Sequence, residues 1–276
     1  PQAGFWLPDL QVGWVLIANL AASAAMIFML LPEFFAMQRR FDVGIWKTML
    51  AFGLPLLLAG LPGVANEMAD RFFIEYLMPL GEAKEAVGTY SAIYKLSIFI
   101  ILFNQAFRFA AEPFFFKEST QTKQQLADVL RVFTGILSIG MVLVLAGLGG
   151  IKYFIDAKYW DSLPLLYFLL MANVFLSMNT QVSMWYKLSD QTRMGLYITL
   201  TGFAVTVLGN LYWIPRVGIL GAAWTTLASY MAMLGLSVAL GQYHFPVPYR
   251  FGRLALYVLS AAFLGWVAAF YSLTLV

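Results

Sequence analysis

The sequence predicts an all-α, polytopic transmembrane helical bundle of about eight spans, and three observations predict it. Of the 276 residues, 61% are hydrophobic and 11% are charged, whereas soluble domains hold about 45–50% apolar and about 25% charged residues. The mean hydropathy is +0.77, so the chain lacks the polar surface to cover itself in water. Its apolar residues also gather into runs near the length of about 20 that a spanning helix needs, with most Lys and Arg residues lying between the runs.

In chain order the predicted spans are Val12–Leu31, Thr48–Phe72, Val87–Phe107, Phe133–Ile151, Leu163–Tyr186, Gly195–Trp213, Gly218–Leu240 and Leu254–Leu275. The second carries polar residues at its end. Pro55 and Pro62 lie inside it and predict a kink, while Gly60 and Gly63 predict a hinge. Before the fourth span, Lys117–Arg131 reads as a short amphipathic cytoplasmic segment, apolar at Leu126, Val129 and Leu130. The seventh opens on Gly218, Gly221, Ala222 and Ala223, small residues that permit close helix packing. Trp46, Tyr153, Tyr159, Trp160, Trp185, Tyr186, Tyr212 and Trp213 fall near predicted span ends, as interfacial belts do.

Basic residues set the orientation. Arg39, Arg40, Lys47, Lys117, Lys123, Arg131, Lys187, Arg193, Arg250 and Arg253 fall on one side of the predicted spans. Arg71, Lys84, Lys152, Lys158 and Arg216 fall on the other, which makes ten against five. The positive-inside rule makes the first side cytoplasmic. Pro1 replaces a starting Met and Val276 ends inside an apolar run, so the intact protein is expected to be longer.

Several chemistries lack parts. There is no cysteine, which removes disulfides, thiolate metal sites and cysteine nucleophiles. His244, the one histidine, falls in a Pro-broken loop, QYHFPVPYR, and receives no role. Zinc centres and Ser-His-Asp triads are therefore not expected. No loop is long enough for a soluble catalytic domain, the net charge of +3 reads as a topology signal rather than a nucleic-acid surface, and no cofactor is called for.

Ionisable side chains at membrane depth cost about 2.5–3.5 kcal/mol each on insertion scales, so they are the default functional candidates. They concentrate in the second and third spans. Asn66 and Asp70 are four residues apart, as are Glu67 and Arg71, so each pair shares a helix face. Lys95 lies eight residues past Val87, roughly 12 Å deep at about 1.5 Å per residue. Asn104, Arg108 and Glu112 step by four along a stripe toward the cytoplasmic end. On a straight helix Lys95 stands about 140° from Arg108.

One reading makes Lys95 a midplane anion site and Arg108 a contact nearer the mouth, with Arg71 and Asn104 completing a substrate-binding wall; arginine suits bidentate phosphate contacts and lysine acts as a point charge. The other pairs Lys95 with Glu67 or Asp70 and lets Arg108 snorkel. Asp70, Glu67 and Glu112 are candidates for ion coupling or for an ion pair. Asn173, Asn179, Gln181 and Asn210 read as interhelical hydrogen-bonding groups.

Three stretches carry a resemblance: Phe52–Ile74, FGLPLLLAGLPGVANEMADRFFI; Val87–Ile100, VGTYSAIYKLSIFI; and Asn210–Tyr230, NLYWIPRVGILGAAWTTLASY, with an outer turn at Pro215. In order and spacing they resemble the polysaccharide and O-antigen flippases of the multidrug/oligosaccharidyl-lipid/polysaccharide exporter superfamily. The resemblance implies two helical lobes around a central cavity, with alternating access. Residues 1–38 would then hold the last helix of the N-terminal lobe, 39–47 the cytoplasmic linker and 48–276 the C-terminal lobe, incomplete at its end. Asp70, Tyr90 and Lys95 match the family-like pattern. The implied partners are a lipid-linked anionic oligosaccharide, membrane lipid and other polysaccharide-assembly membrane proteins, in the bacterial inner membrane. A cation-coupled multidrug exporter and a peptidoglycan-precursor flippase are the alternatives.

Overall fold

The computed structural model describes residues 13–36, 41–117 and 123–274. The chain divides into two compact units, Pro1–Met49 and Leu50–Val276. Arg39 and Arg40 lie outside the described residues.

The first unit holds helix α1, Gly13–Ala36. Leu20, Phe28 and Met29 are exposed along it, as suits a helix whose solvent is hydrocarbon. Asp42 then opens α2, Val43–Leu77: its carboxylate accepts the N–H groups of Gly44 at 2.7 Å and Ile45 at 3.1 Å, two of the donors a helix start leaves unpaired. Residues 43–47 of the stretch read as a linker are thus helical.

The second unit continues α2 and adds α3, Ala83–Leu96; α4, Ile98–Lys117; α5, Lys123–Ala146; and α6, Leu148–Ile151. Two 3-10 turns, Lys152–Phe154 and Ala157–Ser162, lead to α7, Leu165–Val182. There follow α8, Met184–Leu188; α9, Arg193–Val217; α10, Ile219–His244; and α11, Phe251–Thr274. Among the described residues, seven helices are long and apolar enough to cross a membrane, or eight spans if α3 and α4, bent by 51° at their junction, count together as one. The chain is an all-α, multi-pass helical bundle.

Helix α7 is the centre. It is buried on most of its surface, and it packs against α3, α4, α5, α10 and α11. Leu166, Leu169, Leu170 and Ala172 are fully buried on it.

Several sequence expectations change. The third span is not straight: it breaks at Ser97, which is fully buried. Ser97 Oγ donates to the Tyr94 carbonyl at 2.7 Å and accepts from Asn173 Nδ2 at 3.1 Å. A helix break inside a membrane survives where side chains satisfy the freed backbone, and Asn173 on α7 braces this one. Lys123–Arg131 is the opening of α5 rather than a separate interfacial segment, because Leu126 and Leu130 are buried. Trp185 and Tyr186 do not belong to an interfacial belt. They are buried, with Trp185 filling the space beside Gly241 and Tyr186 the space beside Gly195. His244 ends α10, where it stacks on Trp185 at 5.8 Å. Pro55 and Pro62 both lie inside α2, where the sequence expects the kink, and a Cβ at Gly60 or Gly63 would touch nothing within 4 Å.

The α9–α10 connection turns at Gly218, not at Pro215, which sits inside the last turn of α9. Gly218 has φ +61° and ψ −139°, a region open essentially to glycine. The sharp turn drives the two helices together. A Cβ on Gly221 would lie 2.7 Å from the backbone carbon of Trp213 and 2.8 Å from its oxygen. Backbone cannot swing aside as a side chain does. Gly221→Ala is expected to cost about 1–3 kcal/mol and to lower the melting temperature in detergent, while Gly235→Ala, which meets nothing within 4 Å, leaves it unchanged or raises it slightly.

Candidate functional site

The site is built where α2 and α3 meet α9 and α10 within the second unit. Asp70 on α2 is 2% exposed. Three neutral donors surround its carboxylate: Tyr90 Oη on α3 at 2.7 Å, Thr226 Oγ1 on α10 at 2.6 Å and Asn210 Nδ2 on α9 at 2.9 Å. One helical turn earlier, Asn66 repeats the arrangement. Its Oδ1 accepts from Thr206 on α9, and its Nδ2 lies 3.3 Å from Ser229 Oγ on α10. Ser229 Oγ also donates to the Gly202 carbonyl at 2.9 Å. The i, i+4 spacing of Asn66 and Asp70 thus presents both side chains to the same pair of helices.

Part of this network is legible in the spacing of small and polar residues. Gly202, Thr206 and Asn210 recur every four residues on α9, and Ala222, Thr226 and Ser229 recur at three and four on α10. Asn210 is the interhelical group expected. Thr206, Thr226 and Ser229 escape the sequence reading, because threonine and serine carry no charge to mark them among the other polar residues of membrane helices.

A second, outward polar face lies beside the buried network. Glu67 and Lys95 are exposed, and Arg71 and Ser91 are half-buried. Arg71 Nε donates to Ser91 Oγ at 3.0 Å, Arg71 Nη1 donates to the Glu67 carbonyl at 3.1 Å, and the guanidinium lies 5.0 Å from the Tyr94 ring centre. Arg71 therefore belongs to a helix face rather than to an outer loop. Asp70–Tyr90 and Arg71–Ser91 pin α2 to α3 through consecutive residues on each helix.

Lys95 stands 12 residues past Ala83, the first residue of α3, or roughly 18 Å along the helix. It shares a face with Ser91, one turn back. Among the described residues the ion pairs are Arg131–Asp128 and Lys158–Asp156, so Lys95 pairs with neither Glu67 nor Asp70.

Asn104 and Arg108 sit on α4, beyond the bend, so the straight-helix separation of Lys95 from Arg108 does not apply. Both are half-buried. Asn104 Oδ1 and Arg108 Nε are buried atoms with no hydrogen-bond partner, while the Arg108 guanidinium lies 5.7 Å from the Phe109 ring centre. The side chain of Glu112 lies outside what the structure describes. Asn173 braces the α3–α4 break, whereas Asn179 is buried with its Oδ1 unpartnered.

The chain matches no protein-family model, no curated protein and no solved structure. The chemistry of the site therefore stands on its own geometry. Asp70→Ala would strand three buried donors and is expected to cost about 3–5 kcal/mol. Tyr90→Phe leaves two donors in place and is expected to cost about 1–2 kcal/mol. Because Asp70 and Asn210 share one bond, Asp70→Ala with Asn210→Leu should cost less than the two single changes added. Thermal melting of the purified variants checks all three, and equal losses for Asp70→Ala and Tyr90→Phe would contradict the network.

Proposed function

We propose that the chain is the C-terminal part of a lipid-linked oligosaccharide flippase, which moves undecaprenyl-diphosphate-linked glycan units across the bacterial inner membrane by alternating access. It is a transporter rather than an enzyme. The observation that carries the reading is Lys95: a cation deep in a bent span, exposed on a polar face, with no ion pair among the described residues.

A face that holds Glu67, Arg71, Ser91 and Lys95 is poorly suited to lipid tails, since intramembrane charges face a bundle interior or a wet cavity. A diphosphate headgroup supplies the negative charge that Lys95 lacks. Arg71 adds a second cation, already oriented by Ser91. Asn104 and Arg108, with buried polar atoms unpartnered, continue the polar lining past the bend. Polar and aromatic side chains suit the sugars, and the lipid tail stays in the bilayer.

A cation-coupled multidrug exporter is the second reading, and Asp70 favours it, because intramembrane carboxylates serve ion transport. Asp70 is nonetheless buried behind neutral donors, and Glu67, the carboxylate on the exposed face, shares that face with Arg71, which donates to the Glu67 main-chain carbonyl. Ion coupling through Asp70 is also compatible with the flippase reading.

Deleting the intact gene in its host tests the choice. Loss of surface glycan with accumulation of the lipid-linked precursor is expected, restored by the wild-type copy and by Lys95→Arg. A Lys95→Ala copy should restore about ten-fold less or worse, the effect of losing one charged hydrogen bond. Unchanged glycan with raised sensitivity to cationic drugs would replace the flippase reading with the exporter.

A further inference from the structure

Apart from that site, α5 and α11 pack along each other in parallel. A Cβ on Gly135 would lie 3.8 Å from the Tyr257 ring, and one on Gly265 would lie 2.7 Å from Leu145 Cδ1. The sequence offset is 122 at the first contact and 120 at the second. Between these contacts the helices leave an open groove of about 230 Å³.

The groove changes chemistry along its length in the same way on both walls. On α5, Arg131, Gly135, Ser138 and Val142 fall within about 60° of one another round the helix, and on α11 so do Arg253, Tyr257, Ser260 and Leu264. The two sets share the 122-residue offset at every step. Arg131 and Arg253 lie one helical turn before the first lining residues, Gly135 and Tyr257, and so flank that end of the groove from outside its lining. Next come Gly135 and Tyr257, about 6 Å deeper. The hydroxyls of Ser138 and Ser260 follow at roughly 10 Å, and beyond them the lining is aliphatic: Val142, Leu143 and Leu264. Ser138 is 6% exposed, and its hydroxyl is buried without a partner although it lines the groove.

We infer that this groove binds an anionic glycerophospholipid from the leaflet on the Arg131 side. The phosphate sits between Arg131 and Arg253, the ester groups lie at the Ser138 and Ser260 hydroxyls, and an acyl chain follows the aliphatic end. The order of the lining matches the order of a phospholipid, whose hydrocarbon begins about 6 Å inside the headgroup level. Tyr257 falls at that boundary, where tyrosine is favoured. Charge selects the lipid. Arg131 is shared with Asp128 at 3.1 Å, and Asp128 also accepts from Gln124 at 3.2 Å. Arg253 is exposed and has no ion pair among the described residues, so the rim keeps a net positive charge. This site is separate from the Lys95 face and does not rest on the transport reading.

The test is lipid retention by the purified full chain in detergent, read by native mass spectrometry. Phosphatidylglycerol and phosphatidylcholine of identical acyl chains are offered together. One unshared arginine predicts about a five-fold preference for phosphatidylglycerol. Arg253→Gln should abolish that preference, and Lys84→Gln should keep it. Gly135→Leu, which fills the groove against Tyr257, should reduce retention of both lipids while the melting temperature shows that the chain is folded. Equal retention of the two lipids by the wild type, or a preference that survives Arg253→Gln, would overturn the site. Displacement of phosphatidylglycerol by undecaprenyl monophosphate at lower concentration would also overturn it, assigning the groove to isoprenoid lipid instead.

Discussion

A carboxylate buried in a membrane protein has to find its donors within the protein, and Asp70 finds them on three other helices. Tyr90, Asn210 and Thr226 each commit a side chain to it. Because the partners are neutral, the bonds fix where α2, α3, α9 and α10 lie without burying a second charge. Hydrocarbon offers no hydrophobic drive between helices, so close packing and such polar contacts do the joining. Asn66, one turn away, repeats the pattern with Thr206 and Ser229, and the small residues of α9 and α10 let the backbones approach closely enough for short side chains to reach.

From that knot the outward face follows. With Asp70 pointing inward, Glu67 and Arg71 fall on the flank of α2 about 60° and 100° round the helix from it, where Glu67 is exposed and Arg71 half-buried. Tyr90 pointing inward places Ser91 and Lys95 outward on α3 by the same geometry. The buried acid and the exposed base thus belong to opposite sides of the same two helices, and this is why Lys95 and Asp70 do not meet. Their separation leaves Lys95 without an ion pair among the described residues, on the face where an anionic headgroup is proposed to pass.

The break at Ser97 serves the same arrangement. A straight helix would carry α4 on along the axis of α3. The 51° bend redirects it, with Asn173 bracing the turn from the central helix. Asn104 and Arg108 then belong to a differently directed wall from Lys95. The groove between α5 and α11 lies elsewhere and is built on another principle, a register that stacks like with like along two parallel helices. One unit therefore holds both the polar face on which transport is proposed and the groove in which a lipid is proposed.

Composition and run length determined the fold class, because a chain so poor in charge has no other solvent than the bilayer and every span must close its own hydrogen bonds. Periodicity determined which residues share a face, so the pairs Asn66/Asp70 and Glu67/Arg71 were legible before any coordinates. The sequence could not say which face turns inward, since Asp70 and Glu67 look equally costly as letters. Tertiary packing decided it, by bringing an uncharged threonine and an asparagine some 140 to 156 residues away to the Asp70 carboxylate. It likewise decided that Trp185 and Tyr186 fill space beside glycines rather than mark an interface, and that a polar serine, not a proline, breaks a span. Local pattern fixes what a helix is made of; only the neighbours that satisfy or crowd each side chain fix what that side chain does.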